Sequence, residues 1–137
     1  MAMTVVDGGI IQATTAEDLA DKEGYAATMD ASEEVALADG GEDVDDSIVG
    51  VITSIAGKYA AADNPQLATI QISGTAFVLA GEAVTAGDWV TCDISGGSAD
   101  WMLAPTGKFP KAVALQAGAI GDLVQVTLLG SSIVVRA

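Results

Sequence analysis

Residues 68–73 read Ala-Thr-Ile-Gln-Ile-Ser, a strict alternation of apolar and polar side chains. Successive side chains of a β-strand point to opposite faces, so Ala68, Ile70 and Ile72 would share one face. The same period recurs at residues 89–94, where Trp89 lies on the polar face. Alternation of this kind predicts half-buried strands, not helices.

Short runs of the same character continue through the chain, separated by turns rich in Gly, Pro, Asn and Asp. Sixteen glycines and an aromatic share of only 4% favour a sheet protein whose core is built from Val, Ile, Leu and Ala. We therefore predict an all-β fold, a small antiparallel barrel or sandwich of short strands. The other predicted strands are Tyr25–Met29, Val35–Leu37, Ile48–Ile55, Ala76–Ala80, Trp101–Ala104, Ala112–Leu115, Leu123–Leu129 and Ile133–Val135.

Charge is distributed unevenly along the chain. The formal net charge is −14. Residues 1–46 hold 13 acidic side chains against Lys22 alone, whereas residues 47–137 are close to neutral. An acidic surface repels nucleic acid and anionic membranes, so neither is an expected partner. No apolar run approaches the roughly 18 residues of a membrane span, so the sequence predicts none.

The residue inventory disfavours catalysis. The chain has no histidine, the side chain most used for acid–base chemistry and metal ligation. The single cysteine, Cys92, shares an apolar strand face with Val90, so we predict a small core residue and no disulfide. We predict no enzyme and no cofactor.

One acidic segment resembles the start of a calcium loop. Asp43, Asp45 and Ser47 have the right spacing, but Ile48 stands where a glycine is needed and Ser54 where a bidentate glutamate is needed. We interpret residues 39–46 as a solvated acidic loop and predict no metal site.

The N-terminal region differs from the rest. Residues 1–15 carry few anchoring apolar side chains and are predicted to form an extended arm, followed by a single β domain over residues 16–137. Thr15 as an N-cap predicts one or two helical turns over residues 15–22. If the arm becomes ordered only on a partner, deleting residues 1–14 should weaken attachment and leave the fold intact.

A weak internal repeat joins two strand starts. Ala86-Gly87-Asp88-Trp89-Val90 recurs 34 residues later as Ile120-Gly121-Asp122-Leu123-Val124. We expect glycine at a positive φ and an aspartate bonded to the backbone. A common type of turn explains this better than a duplicated unit, although both interpretations stay open.

Tryptophan is enriched where proteins bind one another, so the two indoles are candidate contact residues. The candidate interface consists of Trp89 and Trp101, together with the apolar residues of the arm, Val5, Val6, Ile10 and Ile11.

Several stretches occur in the order and spacing of one known family. They are Ala16-Glu17-Asp18-Leu19, Lys22-Glu23-Gly24-Tyr25, Gly50-Val51-Ile52, Ser73-Gly74-Thr75-Ala76, residues 80–90, Ala112-Val113-Ala114-Leu115 and Gly121-Asp122-Leu123-Val124-Gln125-Val126. From about Ala13 to Leu129 the chain resembles the decoration, or cement, proteins of tailed-bacteriophage capsids.

The resemblance implies a virion protein made in the host cytoplasm that binds the outer face of an expanded shell. Its partner would be the major capsid protein, and members often assemble as trimers that tie neighbouring capsomers together. The family has no catalytic residues. The acidic loop 39–46 has no counterpart that we can match.

Two other functions stay open. A β-rich ligand- or carbohydrate-binding module would use Trp89 and Trp101. A hydrolase would need a pair of carboxylates such as Asp88 and Asp93, but abundant acids in an acidic chain carry no positional information.

Overall fold

Eleven short strands account for the regular structure of this chain. The computed structural model describes residues 4–7, 9–30, 32–38, 48–61, 64–92, 99–104 and 110–129, with residues 4–7 described by their backbone alone. The strands are β1 Thr4–Asp7, β2 Ile10–Thr14, β3 Ala26–Met29, β4 Val35–Leu37, β5 Gly50–Ala56, β6 Leu67–Gln71, β7 Gly74–Leu79, β8 Trp89–Cys92, β9 Trp101–Leu103, β10 Ala112–Ala114 and β11 Leu123–Leu128.

These strands form two antiparallel sheets. One has six strands in the order β1-β2-β6-β5-β3-β4, and the other has five in the order β7-β11-β10-β8-β9. The fold is therefore all-β, as predicted, and its two sheets are consistent with a sandwich. Single parallel bridges join Thr15, just after β2, to Val35 in β4, and Ala80, just after β7, to Trp101 in β9. A single bridge is not a ladder, so neither sheet closes into a barrel.

Nine predicted strands match observed strands within a few residues. The predicted strand Ile133–Val135 and the acidic loop 39–46 lie outside the described residues.

Two clusters of apolar side chains form the core, the first between the two sheets and the second against the six-stranded sheet alone. Ala26 and Val51 belong to the first core cluster, which also takes in the inward side chains of β7, β8, β10 and β11. Their chain neighbours Ala27 and Ile52 belong to the second core cluster, with Ile11, Ala13 and Ile70. Because successive strand residues point to opposite faces, the first residues of β3 and of β5 are buried on both sides of the sheet.

The predicted helical turns over residues 15–22 are wrong. Among the described residues there is no helix. The Thr15 N–H donates to the Gln66 carbonyl at 3.0 Å, and the Leu19 N–H donates to Gln66 Oε1 at 2.8 Å. Leu19 and Gln66 are both buried. Bonds to Gln66, directly before β6, have replaced the bonds that a helix would have made.

The structure also corrects the predicted arm. Residues 4–7 and 10–14 are strands β1 and β2, and β2 lies between β1 and β6 inside the first sheet. Ile11 and Ala13 of β2 are buried in the second core cluster. Residues 10–14 are thus part of the sheet and not an arm. The arm prediction failed because two alternate apolar residues are enough to bury one face of a short strand.

Gly24 connects the two sheets. Its N–H donates to the Ile52 carbonyl of β5 at 2.8 Å, and its carbonyl accepts from the Leu79 N–H of β7 at 2.9 Å. Its φ is 92°, a value that favours glycine. A Cβ at this position would lie 2.9 Å from Leu123 Cδ2 and 3.1 Å from the Leu79 nitrogen.

We therefore expect Gly24→Ala to lower the free energy of unfolding by about 2–5 kcal/mol, the sum of backbone strain and overpacking. Gly57→Ala is the matched control. Gly57 has a φ of 90° but no neighbouring atom within 4 Å of the added Cβ, so only strain of about 1–2 kcal/mol applies. Urea titrations of both variants measure the difference. Equal losses would show that the close approach at Gly24 is unimportant.

Candidate functional site

The five-stranded sheet presents apolar side chains to water. The strands β7, β8, β10 and β11 turn one set of residues towards the first core cluster and the alternate set away from it. We call the second set the outer face. Its large apolar members are Phe77, Leu79, Trp89, Val113 and Leu123, and Leu115, directly after β10, continues the same alternation.

Four of these side chains are about half exposed. The exposed fractions are 52% for Phe77, 55% for Trp89, 46% for Leu115 and 52% for Leu123. Ile120, in the turn before β11, is 71% exposed. A single exposed apolar residue is ordinary, but a group of them on one sheet face is typical of a surface that another molecule covers.

Strand pairing sets the layout of the outer face. Trp89 lies directly opposite Val113 on β10, and Leu123 lies opposite Leu79 on β7. Phe77 pairs with Gln125 of β11, whose carbonyl also accepts the Leu115 N–H at 2.8 Å. The apolar side chains therefore lie in neighbouring rows across four strands, with Gln125 and Thr127 of β11 between those of β7 and those of β10.

Two turns of identical geometry begin the strands β8 and β11. They span residues 85–88 and 119–122. In each, the third residue is a glycine with positive φ, 94° at Gly87 and 89° at Gly121. In each, the carboxylate of the fourth residue accepts the N–H of the first, at 2.8 and 2.9 Å. Both expectations for these turns are confirmed.

The repeat extends well beyond the turns. Residues at equivalent positions of the two segments, offset by 34 in the sequence, make equivalent backbone hydrogen bonds, with distances of 2.8 to 3.0 Å. Gly87 donates to Ala114 as Gly121 donates to Ala80, and Val84 and Gly118 donate to each other.

Strand register follows the same rule. Trp89 pairs with Val113, and Leu123 pairs with Leu79. Leu123 follows Trp89 by 34 positions, and Val113 follows Leu79 by the same number. Shared turn chemistry alone does not require matching registers and equivalent bonds. A common type of turn, the interpretation favoured from the sequence, therefore does not by itself explain the repeat. The segments around the two turns are structurally equivalent, and they place Trp89 and Leu123 at equivalent, exposed positions.

The other predicted interface residues lie elsewhere. Trp101 is 1% exposed and belongs to the first core cluster, so its side chain is not a surface contact of this fold. Ile11 is buried and Ile10 is half-buried in β2. Val5 and Val6 lie in β1, where only the backbone is described. Of the predicted set, the structure brings Trp89 alone into the outer face.

Sequence reasoning missed Phe77, Leu115, Leu123 and Ile120. The available signal was an apolar residue on the polar face of an alternating strand, which singled out Trp89 and holds equally for Leu123. In β7 both faces are apolar, since Phe77 and Leu79 alternate with Ala76 and Val78. Only the packing shows which set faces water.

The carboxylates near this face have structural partners. Asp88 accepts the backbone N–H and the hydroxyl of Thr85, at 2.8 and 3.1 Å. Glu82 accepts the Leu103 N–H at 2.9 Å. Asp93, the other residue considered for hydrolysis, lies outside the described residues. Cys92 is 2% exposed with its Sγ 3.4 Å from the Ala38 carbonyl, which confirms its predicted place in the core.

Within the described ranges, no three carboxylate or thiol side chains come together where they could hold a metal ion. In the same part of the chain, no helix is long and apolar enough to cross a membrane.

The fold and the outer face together define a class: a two-sheet, antiparallel β protein with an exposed apolar sheet surface and two equivalent turn-and-strand segments beside it. A scan against models of known protein families finds no match, and a search of curated protein sequences finds no significant match either.

Proposed function

We propose that this chain is a decoration protein of a tailed-bacteriophage capsid. It binds the outer surface of the expanded shell through the major capsid protein and stabilises the shell by bridging capsomers. The protein is made in the host cytoplasm and ends on the exterior of the virion. It acts as a homotrimer and uses no cofactor.

One observation carries this proposal, namely the exposed apolar outer face. Protein interfaces bury aromatic and large aliphatic side chains at their centre, and Phe77, Trp89 and Leu123 offer such a centre. The sequence resemblance supports the choice of a capsid as the partner. The high negative charge repels nucleic acid, which is therefore not a proposed partner.

The test is binding to empty expanded heads assembled from the major capsid protein encoded in the same genome. We expect the double variant Phe77→Ser/Trp89→Ser to bind these heads about 30-fold more weakly, since central aromatic residues often contribute 2 kcal/mol or more. Cosedimentation with the heads measures this. Leu67→Ser is the matched control, because Leu67 is 37% exposed but lies on β6 in the other sheet.

Two results would contradict the proposal: heads that bind the double variant as tightly as the unchanged protein, or heads that bind neither. Light scattering tests the trimer separately, because a monomer at the concentrations used for binding would exclude it.

A second candidate is a carbohydrate-binding module. The observation that favours it is the pair of exposed aromatic rings, Phe77 and Trp89, on one sheet face, since sugars pack against such rings. The burial of Trp101 removes the second indole that this function was expected to use. A sugar-dependent change in the fluorescence of Trp89, with no binding to heads, would favour this alternative.

A further inference from the structure

We infer that the outer face docks on a protein surface that is apolar at its centre and basic at its rim. The inference rests on the proposed function, and it specifies the chemistry of the capsid area that this face covers.

The centre of the outer face is free of charge. None of the residues in β7, β8, β10 and β11 is charged. Phe77, Trp89, Leu115 and Leu123 are each about half exposed there. An uncharged apolar area of this kind gains most from contact with another apolar area, because both lose their contact with water.

Negative charge gathers at one end of this sheet. Asp88 comes directly before β8 and Asp122 directly before β11. Both strands run antiparallel to β10, so their first residues lie at the same end. The equivalent turns hold both carboxylates on backbone N–H groups, at 2.8 and 2.9 Å. The end of the sheet thus carries two acidic groups in equivalent, fixed positions beside the outer face.

The negative charge at this end of the sheet determines which partner fits the outer face. A second copy of the chain would bring its own acidic rim, and each copy carries a net charge of −14. Like charges across an interface cost affinity and slow association, whereas opposite charges speed association and fix orientation. A partner with Lys or Arg around an apolar area matches both features of the outer face.

Substitution by asparagine separates the charge from its structural role. Asp88→Asn/Asp122→Asn keeps an amide oxygen that accepts the same backbone N–H, and it removes two negative charges. Glu33→Gln/Glu34→Gln is the matched control, because it removes two charges from the connection between β3 and β4 on the other sheet. Circular dichroism melts establish that both variants are folded.

The measurement is the affinity for empty expanded heads from 20 to about 300 mM salt, a range over which charge screening becomes strong. We expect the unchanged protein to bind more weakly as salt rises. The Asp88→Asn/Asp122→Asn variant should bind about 2- to 30-fold more weakly at low salt, with a flatter salt dependence. The control variant should follow the unchanged protein.

Three results would overturn the inference. If binding to heads is strong but insensitive to salt, or both double variants behave alike, the basic rim is wrong while the proposed function stands. If Phe77→Ser/Trp89→Ser dissociates an oligomer of this chain in sedimentation experiments, the occupant is a second copy. If the unchanged protein does not bind heads at all, the proposed function fails and the inference fails with it.

Discussion

Deletion of residues 1–14 is expected to abolish cooperative folding. The deletion removes β2, an interior strand that pairs with β6 over five residues, from Ile10 opposite Gln71 to Thr14 opposite Leu67. It also removes Ile11 and Ala13 from the second core cluster and exposes Ala68 and Ile70. Loss of one large buried aliphatic side chain costs about 2–5 kcal/mol, and a domain of this size has about 5–15 kcal/mol in total. The lost strand pairing adds to that cost.

The shorter deletion of residues 1–8 provides the control. It removes β1, an edge strand, and keeps Gly9, whose carbonyl accepts the Ile72 N–H at 2.6 Å. The sheet then ends at β2 with its core residues in place. We expect a sigmoidal thermal transition for this variant and none for the longer deletion. A cooperative transition after loss of residues 1–14 would mean that β2 is dispensable and that the earlier expectation of a detachable arm was right.

The two tryptophans should respond to substitution in opposite ways. Trp101→Ala is expected to lower the free energy of unfolding by about 3–5 kcal/mol, because it empties a buried site in the first core cluster. Trp89→Ala should change stability by less than about 1 kcal/mol, since the side chain is 55% exposed. Urea denaturation followed by far-ultraviolet circular dichroism gives both values.

Fluorescence tests independently that Trp101 is buried and Trp89 is exposed. With Trp89→Phe, the remaining emission from Trp101 should be blue-shifted, as expected for an indole in an apolar core. With Trp101→Phe, the remaining emission from Trp89 should lie near that of an indole in water. Similar stability losses for the two alanine variants, or a solvent-like emission from Trp101, would place Trp101 at the surface and contradict the structure.

Much of the fold was predictable because strand periodicity is a local property. Alternation over residues 68–73 and 89–94 predicts half-buried strands, and the strands β6 and β8 lie there. The position of Cys92 beside Val90 follows from the same period. The turns before β8 and β11 were predictable for the same reason, since Gly-Asp chemistry acts within four residues.

The errors arose where distant residues decide the outcome. Thr15 and Leu19 bond to Gln66, about 50 positions away, so the local helix signal at residues 15–22 was overridden. The arm was mispredicted because β2 is stabilised by β6, which follows more than 50 residues later. Trp89 and Trp101 have similar local surroundings in the sequence, and only the packing of β9 places one of them inside.

The all-β class, the period of the strands, the geometry of two turns and the concentration of acidic residues before residue 47 follow from neighbouring residues or from composition, so they can be read from the chain alone. Three features require the packing of the whole chain: β2 is an interior strand, Trp101 is core whereas Trp89 is at the surface, and Phe77, Leu115 and Leu123 share one exposed face with Trp89. Those outcomes depend on which strands pair and which sheet face is covered. Pairing between strands far apart in the chain decides both.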